Sequence, residues 1–276
     1  MNYTNGQFTG AQGAAIYYQA WLPEGDVKAA ILLVHGLGEH ASRYTHLIGH
    51  LTLLGYSVYA IDHIGHGKSE GTRKHIDRFS DFTDSLHTFF ERVKQWHGDK
   101  PLFLLGHSMG GLISAHYLLT HQQSFAGAIL SAPALKISDD VPWLKVMLGK
   151  LFAVITPKMG ILPVNPSKVS RDPEVVTAYM NDPLIHKGMA SVRLASELLK
   201  AMQRVHAGAK QITLPLLILQ GTNDAIVHPE GAQEFYDEVG SVDKTLKLYD
   251  GLYHEVFNEP EKEQVLDDLK KWLAAH

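Results

Sequence analysis

The string L-F-L-L-G-H-S-M-G-G sets Gly106, Ser108 and Gly110 in a G-x-S-x-G pattern between an apolar run and a helical one. A serine on such a strand-to-helix turn projects above the sheet, because the flanking glycines lack the Cβ atoms that would clash. The helix N-terminus behind it favours developing negative charge. The same string could be a tight turn without chemistry, so its strand-turn-helix context carries the reading. A serine hydroxyl is a weak nucleophile at neutral pH and needs a base oriented by an acid. On this kind of sheet the partners follow in the order Ser, acid, His, each at the end of a later strand. The run at 216–219 leads into Q-G-T-N-D and offers Asp224; the run at 245–249 leads into D-G-L-Y-H-E and offers His254.

Other residues compete less well. Asp250 ends the strand that offers His254 and would have to fold back within one turn. His107 adjoins the nucleophile, but neighbouring side chains diverge at such a turn, so it reads as a wall of the site. His228, beside Pro229, reads as a surface turn residue, and Asp62 precedes Ser108 and breaks the order. The reaction also needs N–H donors for the tetrahedral oxyanion, each worth about 3 kcal/mol. The backbone N–H of Met109 is one. The loop after 29–34 reads H-G-L-G-E-H, where Gly36 and Gly38 permit close approach and leave the N–H of Leu37 to donate. His35 reads as fixing this loop.

The chain contains 17 His and no Cys. Thiolate nucleophiles, disulfides and Cys-ligated zinc are therefore excluded. No H-E-x-x-H string occurs, the His pairs at 35/40 and 63/66 sit in Gly-rich loops, and His116 and His121 face different sides of a helix. No metal and no cofactor is expected.

The elements that must position these residues alternate short apolar runs with longer helical patterns from about residue 28, as a mostly parallel α/β sheet does. Strands are expected at 29–34, 57–61, 102–105, 127–130, 216–219 and 245–249, each buried on both faces. The mixed run at 15–22 reads as an antiparallel edge strand. One helix follows Ser80, a cap residue with Asp81 and Asp84 in the first turn; another, after Pro260, carries Val265, Leu266, Leu269, Trp272 and Leu273 as one stripe. The alternation fails at 136–207, which holds helical patterns at about 173–180 and 189–205 and no strand. This segment reads as a mainly helical cap over the carboxyl ends of the sheet, dividing a core of 1–135 and 208–276.

With 45% hydrophobic residues and a net charge of −4, the chain can close a core and is not disordered. It lacks the basic footprint of a nucleic-acid binder. The N-terminus has neither the basic start nor the apolar region of a secretory signal, so a cytoplasmic location is expected. The strongly apolar stretch 144–155 is shorter than the roughly 20 residues a membrane span needs. On a helix it would confine Lys145, Gly149 and Lys150 to a narrow wedge. Its apolar side, with Leu148 and Phe152, could line an acyl tunnel, touch a lipid surface as a peripheral contact, or pack on the core. From 136 to 168 five Lys stand against Asp139 and Asp140, which favours anionic lipid.

Taken together, H-G-L-G-E-H-A-S-R-Y, D-H-I-G-H-G-K-S-E-G, G-H-S-M-G-G, D-P-L-I, Q-G-T-N-D and D-K-T-L-K-L-Y-D-G-L-Y-H resemble the monoacylglycerol lipase and lysophospholipase branch of the α/β-hydrolases, from about residue 14 onward. The resemblance implies the α/β-hydrolase fold and a cofactor-independent serine hydrolase that cleaves one acyl chain from a small lipid or ester. It implies that Glu39 and Arg43 recognise the glycerol head, that Tyr179 lies near the polar end of the pocket, and that Leu37 is the second donor. Three residues after His254 the family's glycerol-binding His is Phe257, a departure that extends the expected range to lysolipids and short-chain esters. A non-catalytic ligand receptor on the same fold is the remote reading, and the complete set of Ser108, Asp224 and His254 stands against it.

Overall fold

The computed structural model describes residues 1–136, 149 and 151–276. The strands in chain order are β1 (Asn2–Thr9), β2 (Ala15–Leu22), β3 (Ala29–Val34), β4 (Tyr56–Ile61), β5 (Leu102–His107), β6 (Gly127–Ser131), β7 (Gly160–Leu162), β8 (Ala190–Ser191), β9 (Leu216–Gly221) and β10 (Lys244–Tyr249). Eight of them form one sheet in the order β1-β2-β4-β3-β5-β6-β9-β10. β1, β2 and β4 pair antiparallel, and every pairing from β4 through β3 to β10 is parallel. This is the α/β-hydrolase fold, and it runs Ser108, Asp224, His254 and Leu37 off the same, carboxyl edge of the sheet.

The period of two along each central strand divides its side chains between two apolar layers. Ala30, Leu32 and Val34 of β3 face a layer built with α2 (Ser80–His97), α3 (Met109–His121), α5 (Val192–Gly208) and α6 (Pro229–Glu238). Ile31 and Leu33 face the opposite layer, with Leu47, Ile48 and Leu51 of α1 (Thr45–Leu53) and Val265, Leu266, Leu269, Trp272 and Leu273 of α7 (Lys262–Ala275). Each fully buried Leu or Ile contributes about 2 kcal/mol. A sheet covered on both faces is a stiff platform for the loops at its edge.

Four features differ from the sequence expectation. β2 is antiparallel but internal, because β1, a polar strand without alternation, pairs outside it. β10 is the opposite edge and leaves Lys247 and Leu248 exposed, so it is not buried on both faces. The inserted segment does contain strands, β7 pairing with β8, both too short to show a period. Helix α2 starts at Ser80 without a side-chain cap from it; buried Asp81 instead accepts hydrogen bonds from the N–H groups of Asp77 and Arg78. Another inserted helix, α4 (Pro173–Asn181), is capped by Asp172, which accepts from the Glu174 N–H, with Pro173 at its first position. Among the described residues no helix is long and apolar enough to cross a membrane.

Candidate active site

Ser108 sits between β5 and α3 at φ 55°, ψ −120°, a conformation an L-residue adopts only when its surroundings impose it. They do so sterically. A Cβ at Gly106 would lie 2.4 Å from the carbonyl oxygen of Gly110, and one at Gly110 would lie 2.0 Å from that of Val34. Only glycine at both positions lets α3 pack this close to β3 and β5. The turn is pinned by the Ser108 N–H donating to the Ser131 carbonyl at 2.9 Å and the Ala134 N–H donating to the Ser108 carbonyl at 3.0 Å.

Asp224 and His254, from the ends of β9 and β10, meet with His254 Nδ1 2.7 Å from Asp224 Oδ2. An ionised carboxylate only accepts, so Nδ1 carries the proton. The other carboxylate oxygen accepts from the N–H groups of Ile226 at 2.8 Å and Val227 at 2.9 Å, and Gln220 Nε2 donates to Oδ2 at 3.1 Å. Burial alone would lower the His254 pKa, but the charge and hydrogen bond of Asp224 outweigh it and raise the ring above its ordinary value. Burial also opposes ionisation of Asp224, yet the His254 ring and the two loop N–H groups hold its carboxyl low. Asp250 is not the hydrogen-bond partner of His254; it accepts from Thr222 Oγ1 at 3.3 Å.

A cleft of about 400 Å³ brings Ser108 and His254 together with Leu37 and Met109. The Gly36 N–H is already given to Glu39 Oε1 at 2.6 Å. Among the described residues, neither the Leu37 nor the Met109 N–H has an acceptor. His35 anchors this loop by accepting from the His63 N–H at 2.9 Å. His107 is a wall of the cleft, its ring 4.7 Å from that of His254, and burial followed by the charge of His254 lowers it to about 4, so it stays neutral. His228 lines the cleft too, as the residue ahead of α6, although its sequence reads as surface turn.

At one end of the cleft lies a buried polar cluster. Arg43 Nη1 donates to Glu39 Oε2 and to Glu255 Oε1, both at 2.6 Å, and Nη2 donates to Glu255 Oε2 at 2.9 Å. Tyr44 donates to Glu39 Oε1, Asn258 to Glu255 Oε2, and the Arg43 guanidinium lies 4.7 Å over the Tyr179 ring. Burial would favour the neutral acid, but Arg43 holds Glu39 down to about 2. Glu255, Tyr44 and Asn258 escaped the sequence reading; the adjacency of Glu255 to His254 was the one available signal. The cleft also has apolar lining residues, among them Leu162, Val169, Leu198, Met202 and Ile226.

Two expected substrate residues fall elsewhere. Phe257 packs into the apolar layer under α7, behind the Glu39 and Glu255 carboxylates, and does not line the cleft. Phe152 is partly exposed and also stands outside it. Leu148 lies outside the described residues. Among those residues no group of three or more His, Asp or Glu could hold a metal ion.

Residues 25–261 match the family model described as serine aminopeptidase, S33. The chain is 38% identical over 269 residues to the monoacylglycerol lipase of Mycolicibacterium smegmatis, covering 98% of this chain and 96% of that one. The chain belongs to the monoacylglycerol lipase branch of the α/β-hydrolases. Among solved structures, the monoacylglycerol lipase of Paleococcus ferrophilus superposes with a TM-score of 0.83 at 34% identity over 100% of both chains. A soluble variant of the Saccharomyces cerevisiae monoglyceride lipase, solved with a substrate analogue, superposes with a TM-score of 0.87 at 26% identity, over 98% of this chain and 94% of that one. As a member of this lipase branch, the chain is a carboxylic ester hydrolase.

Proposed function

We propose that the chain hydrolyses monoacylglycerol-like esters through an acyl-enzyme on Ser108. The observation that carries this reading is the hydrogen-bonded His254–Asp224 couple, opening into the same cleft as Ser108 and two unengaged backbone N–H groups. Ser108 Oγ attacks the ester carbonyl carbon while His254 Nε2 takes its proton. The N–H groups of Leu37 and Met109 hold the resulting oxyanion. The C–O bond to the alcohol then breaks as His254 returns the proton to the leaving oxygen. Water attacks the acyl-enzyme by the same route, releasing the fatty acid and restoring the hydroxyl. The Glu39–Arg43 cluster beneath Tyr179 suits a hydroxylated head group, and the wall of Leu162, Leu198 and Met202 suits a single alkyl chain.

Residues 136–207 act in this reading as the cap between core segments 1–135 and 208–276. Leu151, Phe152, Val154, Ile155 and Met159 are exposed on it, Val154 to 75%. Such a patch on a cytoplasmic protein fits a peripheral contact with the lipid surface from which substrate is drawn. The decisive experiment compares wild type with Ser108→Ala on monooleoylglycerol and with a fluorophosphonate probe. Turnover and labelling should both vanish, a drop of about 10⁴-fold or more, while thermal unfolding stays cooperative. A variant that still turns over ester at the wild-type rate would overturn the mechanism.

A further inference from the structure

Lys74 occupies a place that disfavours a lysine. Only 2% of it is exposed, no carboxylate among the described residues offsets its charge, and its Nζ has one acceptor, the Gly188 carbonyl at 2.9 Å. A buried ammonium without a counter-charge costs several kcal/mol. Its backbone adds strain, with φ 50° in the left-handed region that favours glycine.

Its contacts lead to the oxyanion loop. A Cβ at Gly38 would lie 2.6 Å from Lys74 Cε and 2.8 Å from Nζ, so the ammonium end of the side chain presses on bare backbone one residue beyond Leu37. The Lys74 carbonyl accepts from the Ser191 N–H at 3.0 Å. Alongside, His40 Nε2 lies 2.8 Å from Asp182 Oδ2. The loop that carries Leu37 is thereby fastened from behind to residues 182–191 of the insertion.

We propose that Lys74 is a positioning residue of the oxyanion loop: its ammonium, held between Gly38 and Gly188, aims the Leu37 N–H at the developing oxyanion and adds positive potential there. The inference rests on the reading of Leu37 as a donor. Fixed positive charge in a site poor in water stabilises an oxyanion without reorganisation at the moment of reaction. A neutral side chain of similar length would keep the packing and lose the potential. Burial lowers Lys74 to about 8, so the charge is lost within an ordinary assay range. The titratable groups that feel it are His66, lowered to about 3 chiefly by burial, and His186, lowered by burial and then by Lys74 itself, with Arg73 the neighbouring charged group that both imidazoles also feel. Both imidazoles are neutral at and above neutral pH, which leaves the alkaline titration to Lys74.

The test measures kcat and KM for p-nitrophenyl butyrate with the full chain, Lys74→Met and Lys74→Arg, from about pH 6 to about pH 10. Wild-type kcat should fall above a midpoint near 8. Lys74→Met should lose about tenfold in kcat near neutrality, with KM within about twofold and no alkaline fall. Lys74→Arg should keep most of the neutral-pH rate and hold it to about pH 10, since a guanidinium does not titrate there. A wild-type kcat that is flat to high pH, or a Lys74→Met enzyme with the wild-type rate and profile, overturns the assignment. Should Lys74→Met fail to fold, the wild-type profile and Lys74→Arg decide it. A wild type inactive on every ester would overturn the ester-hydrolase reading and this inference with it, whereas an active wild type with a flat profile overturns the role of Lys74 alone.

Discussion

The elbow around Ser108 and the inserted segment above it are built on opposite terms. At the elbow, Gly106 and Gly110 admit no Cβ and Ser108 is held in a conformation it would not choose. The insertion has a sheet of two short strands and presents Val154 and Ile155 to solvent. The first region tolerates almost no change because each atom is placed by a packed neighbour. The exposed side chains of the second can vary at little cost to the core, unlike those of α5, which pack within it. In the proposed reading, chemistry belongs to the rigid carboxyl edge of the sheet and access to the inserted segment.

Variants can strain that division, beginning at the rigid pole. Asp224→Asn should lower kcat/KM by about 10³- to 10⁴-fold, since the ring loses both its orientation and the charge that stabilises its protonated form. Asp250→Asn should stay within about twofold, and the reverse order in a kinetic comparison would move the acid to Asp250. A smaller effect is expected from pH. His254 titrates above its ordinary value of 6.5 and must be neutral to accept the Ser108 proton, so kcat/KM should rise with pH through a midpoint above 6.5. A midpoint well below 6.5 in the free enzyme would mean that Asp224 does not dominate the environment of the base. The smallest effect belongs to the insertion. Val154→Asp with Ile155→Asp should cut hydrolysis of long-chain monoglyceride in vesicles several-fold and leave a short soluble ester unchanged. Equal loss on both substrates would make the patch structural.

Legibility in the sequence follows the same contrast. Central strands such as β3, β5 and β9 are covered on both faces, so their apolar runs reveal them. β1 hides because N-Y-T-N-G-Q-F-T has neither alternation nor an apolar run, and only its partner β2 gives it a place. Ser108, Asp224 and His254 each follow the end of a strand, which makes their order readable along the chain. Glu255 was missed because its meaning lies in a bond to Arg43, 212 residues away. His228 reads as surface turn because no local pattern shows that the start of α6 borders the cleft. Lys74 hides for a related reason: a lysine in a polar loop reads as solvated, and only the Gly38 backbone and the Gly188 carbonyl show otherwise.

The same bond has a temporal side. Arg43 is synthesised 212 residues before Glu255, so the polar cluster assembles only after that whole intervening stretch is available. Contacts between such distant residues form late, because the intervening loop must be closed first. A growing chain can already possess the Ser108 elbow and still have no base to deprotonate it. In the proposed mechanism the elbow is therefore inert until the segment bearing His254 and Glu255 has joined the fold.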